Sequence, residues 1–348
     1  MRRCSLLMFV VFASLSSAPR LHAQGEFITF DAPGAVLATL PNQMTAAGTI
    51  VGNYVDANFV THGFVRTAHG EFATIDAPGA LRTQALGMTQ ARIVGFYFDT
   101  NHVRRGYALG PDGKFVTFDA PGAGTSRGEG TIAAAINAAG TVSGAYIDAN
   151  FASHGFVRSA DGRVATFDPP GSVSVIPDTL GINSAGTVVE QYFDANSVGH
   201  AALRASDGMI TTFDVPGAGT GPGQGTFPEA INVNGMVSGN YVDSNNVNHG
   251  FLRTADGVIT TFDVLQAGTG AFQGTIPAGS NPSGAVTGQY FDSGFVSHGF
   301  VRAADGTMVT FDVPGASGTS PISLSPSGAV MGSYSDSNFV SHGFVRTP

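Results

Sequence analysis

Residues 115–163 read FVTFDAPGAGTSRGEGTIAAAINAAGTVSGAYIDANFASHGFVRSADGR, and the fold follows from how often this stretch returns. Its Phe-Asp marker, once Ile-Asp, closes at Asp31, Asp76, Asp119, Asp168, Asp214, Asp263 and Asp312. A Tyr-x-Asp marker falls at Asp56, Asp99, Asp148, Asp194, Asp243, Asp292 and Asp336. A His-Gly-Phe marker, twice degenerate, begins at His62, Arg105, His154, His200, His249, His298 and His342. Seven copies recur at 43 to 49 residues. That period is too long for one coil of a β-solenoid and suits four short strands, the content of a propeller blade.

Within the third copy, strands are expected at 131–137 (a), 141–148 (b), 154–159 (c) and 163–168 (d). Asn137-Ala-Ala-Gly140 is a tight turn whose glycine supplies a positive φ. Pro282 and Pro326 stand at the second position of equivalent turns, where a fixed φ fits type I geometry. Asp161-Gly162 is a hairpin signal, and Pro-Gly stops strand d. The first repeated element, Phe27-Ile-Thr-Phe, is a strand d with nothing before it, while the last copy stops after strand c. Pairing those two ends repairs both defects and hides two sheet edges. The expected fold is therefore all-β, a seven-bladed β-propeller of four-stranded antiparallel blades, closed by the N-terminal strand d on the C-terminal strand c.

Alternation of side chains puts Gly144, Tyr146 and Asp148 on one face of strand b, and His154, Phe156 and Arg158 on one face of strand c. A b–c loop over 149–153 would set Asp148 opposite His154, Tyr146 opposite Phe156 and Gly144 opposite Arg158, with Phe167 beside Phe156. The pairs Asp56–His62, Asp148–His154, Asp243–His249, Asp292–His298 and Asp336–His342 then fasten their own hairpins. A residue needed by every blade explains them better than seven catalytic or metal sites. The Asp-x-Asn of the b–c loop resembles the start of an EF-hand loop but lacks its third acid, its glycine and its terminal glutamate, so no metal is expected.

Met1–Ala23 has the plan of a secretory signal: Arg2-Arg3, an apolar run from Leu6 to Leu15, and Leu21-His-Ala23 before the cut. The run is too short to span a bilayer. Residues 24–348 then form one domain, exported to the periplasm, the cell envelope or the medium. The only cysteine, Cys4, lies in the leader, which excludes disulfides, thiolate chemistry and zinc-thiolate sites from the mature chain. A net charge of −9 with one lysine, Lys114, argues against nucleic acid and anionic membranes. Nothing implies a cofactor or an oligomer, so a monomer without cofactors is expected.

The run Ile-Asn-x-x-Gly-x-Val-x-Gly-x-Tyr followed by His-Gly-Phe resembles the bacterial extracellular HAF repeat family over nearly all of 27–348. Its Asn-x-x-Gly-x-Val-x-Gly part matches at 137–144 and 232–239. Here the signature reads His-Gly-Phe in five copies, decays to Arg105-Gly-Tyr107 and His200-Ala-Ala202, and is joined to a Phe-Asp-x-Pro-Gly ending. This is a divergent branch. The resemblance implies a secreted propeller-like fold and carries over no catalytic residues.

Function is sought where copies differ or loops project. The b–c and d–a loops share one face. Phe59, Phe151, Phe295 and Phe339 occupy the b–c tips, with His102 in their place in the second copy. Exposed, these rings could stack on sugars; folded back, they would cap their own blades. Glycine-rich d–a loops bring Arg127, Glu129, Gln224 and Gln273 to the same face. No Gly-Lys-Ser/Thr follows them, which excludes a P-loop. His102, Arg104 and Arg105 make a basic spot. Three unrepeated acids, Asp178, Glu190 and Glu229, could cluster for glycoside hydrolysis, which needs two carboxyl groups about 5–9.5 Å apart. The reading is a secreted binding or scaffold module for a polysaccharide or a cell-surface protein, without catalysis. The alternatives are a polysaccharide hydrolase or lyase using those acids, and a structural envelope protein.

Overall fold

The computed structural model describes residues 25–176 and 181–348. Within them every regular element is a strand, and each repeat folds as an antiparallel a–b–c–d meander. In the third repeat the strands are Gly130–Ile136, Val142–Ile147, Ser153–Arg158 and Val164–Phe167. The anticipated turns are present: the Gly140 N–H bonds Asn137 O at 2.9 Å with φ 81°, and the Gly162 N–H bonds Ser159 O at 2.9 Å with φ 96°.

The strand register corrects the sequence reading by two residues. Tyr146, not Asp148, lies opposite His154; Gly144 lies opposite Phe156, and Val142 opposite Arg158. Strand d brings Phe167 opposite Gly155 rather than beside Phe156. The cause is Asp148, which opens the loop instead of ending the strand. Its Oδ1 accepts the N–H groups of Asn150 and Ala152 at 2.8 Å each, and its own N–H bonds Ala152 O. The loop therefore runs 148–152. The shifted register explains the strand b glycine. A Cβ on Gly144 would stand 2.1 Å from Ile132 O and 2.7 Å from the Phe156 ring, so Phe156 lies on the bare backbone. Phe156 is fully buried.

Successive repeats are tied by a threonine. The Thr131 hydroxyl accepts the Ala120 N–H at 2.9 Å, joining the end of one strand d to the next strand a, and Thr39, Thr83, Thr226, Thr275 and Thr319 do the same. Arginines cross between neighbours as well: Arg158 sits 4.7 Å over the Phe118 ring, and Arg253 4.8 Å over Phe213. Buried apolar residues pack in clusters between neighbouring repeats, as Val94, Ala133, Val142 and Phe156 do.

The two ends of the described chain meet. Phe27–Phe30 runs antiparallel to Ser341–Arg346, with Phe27 opposite Arg346 and Phe30 opposite Gly343. Thr347 N–H bonds Glu26 O at 2.9 Å, and His342 Nδ1 reaches Asp31 at 2.9 Å. Inner strands contact one another in sequence order, and Ala38–Met44 also touches Gly318–Leu324. Among the described residues no helix is long and apolar enough to cross a membrane. The expected leader, 1–23, and Asp178 lie outside the described residues.

Candidate functional site

The face carrying the b–c loops is built by one recurring turn. Asp148 gathers two backbone N–H groups on Oδ1, and the Asn150 side chain bonds Oδ2 at 3.3 Å. Those bonds hold its carboxyl below the usual aspartate range, the Ala152 N–H contributing most; Asp56, Asp194 and Asp336 have the same leading cause from Val60, Val198 and Val340. The tight loop drives the next residue left-handed. Phe59, His102, Phe151, Ser197, Asn246, Phe295 and Phe339 all have φ between 61° and 63°. Asparagine tolerates that region, but a large side chain costs on the order of 1–2 kcal/mol there.

The phenylalanines do not fold back. Phe59 is 77 % exposed, Phe151 66 %, Phe295 59 % and Phe339 85 %. A fifth ring was missed in the sequence. Phe272, 70 % exposed at φ 65°, occupies a place where the other two long d–a loops carry Gly128 and Gly223. Its N–H bonds the carbonyl of the Asn246 tip at 2.6 Å, as Gly128 bonds His102 and Gly223 bonds Ser197. An aromatic ring thus reaches the tip whose own residue is Asn246. The signal lay in the alignment of AGTSRGEGT, AGTGPGQGT and AGTGAFQGT at 123–131, 218–226 and 267–275. Only Ser197 lacks an aromatic or imidazole ring at or beside it.

The polar candidates divide. Arg127 is exposed. Gln224 and Gln273 are taken up by their own loops: Gln224 Oε1 accepts the Gly221 N–H at 2.9 Å and its amide donates to Asn246 Oδ1 at 3.0 Å, while Gln273 Oε1 accepts the Gly270 N–H at 2.9 Å. Glu129 does likewise, accepting the Ser126 N–H at 2.7 Å. The long loops are pinned rather than loose. The basic spot dissolves too. Arg105 is clamped by Asp99 at 3.1 Å and Asp119 at 2.6 Å, and Arg104 donates to Gly128 O, leaving His102 at the tip.

The repeated histidines are each held from two sides. His154 Nδ1 meets Asp168 of strand d at 3.0 Å, its Nε2 lies 3.6 Å from Asp148, and its ring stacks on Tyr146 at 4.9 Å. The nearer partner is the strand d aspartate, which sequence pairing had assigned no role. His62, His200, His249, His298 and His342 repeat the pattern with Asp76, Asp214, Asp263, Asp312 and Asp31. Arg105 fills the same place between two carboxylates, so the position takes a side chain with nitrogens on two sides. Among the described residues no group of three or more His, Cys, Asp or Glu side chains is arranged to hold a metal ion.

Of the acids proposed for hydrolysis, Asp178 lies outside the described residues, and Glu190 and Glu229 share no cavity wall. Glu190 is 1 % exposed and points at Gly155 of the preceding repeat, whose added Cβ would stand 2.6 Å from Oε1. Neither of its oxygens has a hydrogen-bond partner among the described residues, and burial drives its carboxyl well above the usual glutamate range. Glu229 lines a cavity of about 360 Å³ whose walls do not include Glu190.

No family model and no curated protein matches the chain. Solved structures share the fold. Puromycin hydrolase superposes with a TM-score of 0.60 at 12 % identity over 87 % of this chain, which spans 50 % of that protein. The β-propeller domain of the Trilobed protease from Pyrococcus furiosus gives 0.58 at 10 % identity, covering 89 % of this chain and 96 % of that one. The BP39L lectin from Burkholderia pseudomallei gives 0.55 at 11 % identity, covering 90 % and 96 %. The chain has a β-propeller fold.

Proposed function

We propose that the chain is an exported, ring-closed propeller of seven blades, of the HAF repeat type, and that it is a non-catalytic binding module that takes a polysaccharide on its aromatic rim. The pairing of Phe27–Phe30 with Ser341–Arg346 supports closure. The observation that carries the binding reading is the set of five exposed phenylalanine rings held at positive φ. A turn that accepts asparagine at lower conformational energy, as at Asn246, instead carries a large apolar ring facing water. Strain kept at such positions is a mark of function. Flat apolar rings on a rigid rim suit the faces of pyranose units, and a ring of sites gives avidity along a polymer. The fold shared with a lectin is compatible with this use.

A cell-surface protein is the second reading. Leu265 is 93 % exposed, and Val36, Leu81 and Val173 are exposed on the same d–a loops; these offer nothing to sugar hydroxyls. The deciding experiment incubates the chain with insoluble polysaccharides and measures retained protein and released sugar together. Retention without release is expected, and it is lost when Phe59, Phe151, Phe272, Phe295 and Phe339 are changed to alanine. Release of oligosaccharide would overturn the non-catalytic reading. Absence of retention with capture by envelope protein would transfer the rim to a protein ligand.

A further inference from the structure

The inner strands carry a β-bulge at one shared place. Pairing with strand b shifts between Pro41 and Gln43, Ala85 and Gly87, Ala133 and Ala135, Pro228 and Ala230, Pro277 and Gly279, and Pro321 and Ser323. The unpaired residues are Asn42, Leu86, Ala134, Glu229, Ala278 and Ile322, and all six line the 360 Å³ cavity. Its walls are the later halves of the inner strands, the ends nearer the a–b turns, so it lies away from the aromatic rim. Glu229 is the one charged side chain among the described lining residues. Leu86, Ile182, Ile231, Ile322 and Leu324 supply apolar wall, and Ser280 and Ser323 hydroxyl groups. Asn42 and Gln43 are already engaged: Asn42 donates to Ala85 O at 2.8 Å and Gln43 Oε1 accepts the Met88 N–H at 2.6 Å.

We propose that this axial cavity binds a small organic cation, a primary alkylammonium, with its charged head on the Glu229 carboxylate and its stem on the isoleucine and leucine walls. Three features select that chemistry. A carboxylate in a cavity without a cationic side chain is neutralised either by a proton or by an external cation, so a cation that enters competes with the proton. Calcium would require six to eight oxygens and magnesium near-octahedral oxygen ligation, which one carboxylate among amides and hydroxyls does not supply. The volume lies in the range of small-molecule sites, and the walls present more polar than apolar surface, with isoleucine and leucine side chains among them to receive a short stem.

Desolvation raises the Glu229 carboxyl to about 7, because protein surrounds it although it faces the cavity. The strands packed on Gly225–Ile231 carry Glu190, Tyr192, His200, Arg204 and Tyr241, and none of these lines the cavity. Ammonium binding therefore competes with protonation of Glu229 itself. It is strong when that acid is ionised and weak when it is not.

The test is calorimetric titration of the full chain with n-butylammonium chloride at pH 8.0 and pH 5.5, with n-butanol as the neutral control. The expected result is saturable binding at pH 8.0, at least tenfold weaker at pH 5.5, and no binding of n-butanol. Glu229→Gln removes at least tenfold of the affinity at pH 8.0 and abolishes the pH dependence. Should that variant fold poorly, a melt of the unaltered chain reads the same point: butylammonium raises Tm at pH 8.0 and not at pH 5.5. Equal affinity in Glu229→Gln, equal affinity at the two pH values, or no binding at pH 8.0 each overturns the assignment. The outcome is independent of the rim, whose phenylalanines stay intact.

Discussion

At the scale of single residues, the departures from the repeat are the informative ones. Six repeats set a strand b glycine against an aromatic ring, as Gly144 against Phe156; the fourth sets Glu190 against Ala202. The acid is buried there opposite an alanine, and its oxygens have no hydrogen-bond partners among the described residues. Restoring the pair with Glu190→Gly and Ala202→Phe together is expected to raise stability by about 1–3 kcal/mol at neutral pH, measured by denaturant unfolding. Glu190→Gly alone leaves a cavity and destabilises. The sign of the pH effect follows from the raised folded value. The unfolded glutamate ionises near its ordinary 4.5 while the folded one resists. The Glu190 penalty is thus absent below that value and grows as pH rises toward the folded one. Glu190→Gln should therefore melt progressively above the parent as pH is raised from 4, and a constant difference would contradict this. The b–c aspartates act oppositely. Asp148 and its equivalents titrate lower folded than unfolded, so their stabilisation is present above the unfolded carboxylate value and is lost as pH falls from there through the lower folded one. Asp148→Asn keeps an acceptor oxygen and should flatten part of that acid loss.

At the scale of elements, the strands, their order and both hairpin turns were legible, because alternation and Gly-containing turns are local properties. The register was not. It depended on whether Asp148 ends a strand or begins a loop, and two backbone N–H bonds to one carboxylate decide that. The exposure of the tips was open too, since a phenylalanine beside a turn can cap or project. Phe272 and the threonines that join repeats needed alignment of the copies at loop positions. The register makes a sharp prediction at Gly144. With Ile132 O 2.1 Å from the added Cβ, Gly144→Ala should destabilise by about 3 kcal/mol, read from the shift in unfolding midpoint. Phe151→Asn should do the reverse, adding on the order of 1 kcal/mol by relieving a left-handed ring.

At the scale of the molecule, the phase of the repeat was the strongest message in the sequence. An unaccompanied strand d at one end and a missing one at the other foretold the pairing of Phe27–Phe30 with Ser341–Arg346. Removing 25–31 should lower Tm and promote self-association through the bared edge of Ser341–Arg346, whereas an unchanged Tm would deny that pairing a structural role. The binding role of the rim is decided by one paired measurement: retention on insoluble polysaccharide and melting temperature, for the parent chain and for the variant with Phe59, Phe151, Phe272, Phe295 and Phe339 all changed to asparagine. The variant is expected to melt higher and no longer to be retained. A variant retained as well as its parent would contradict it.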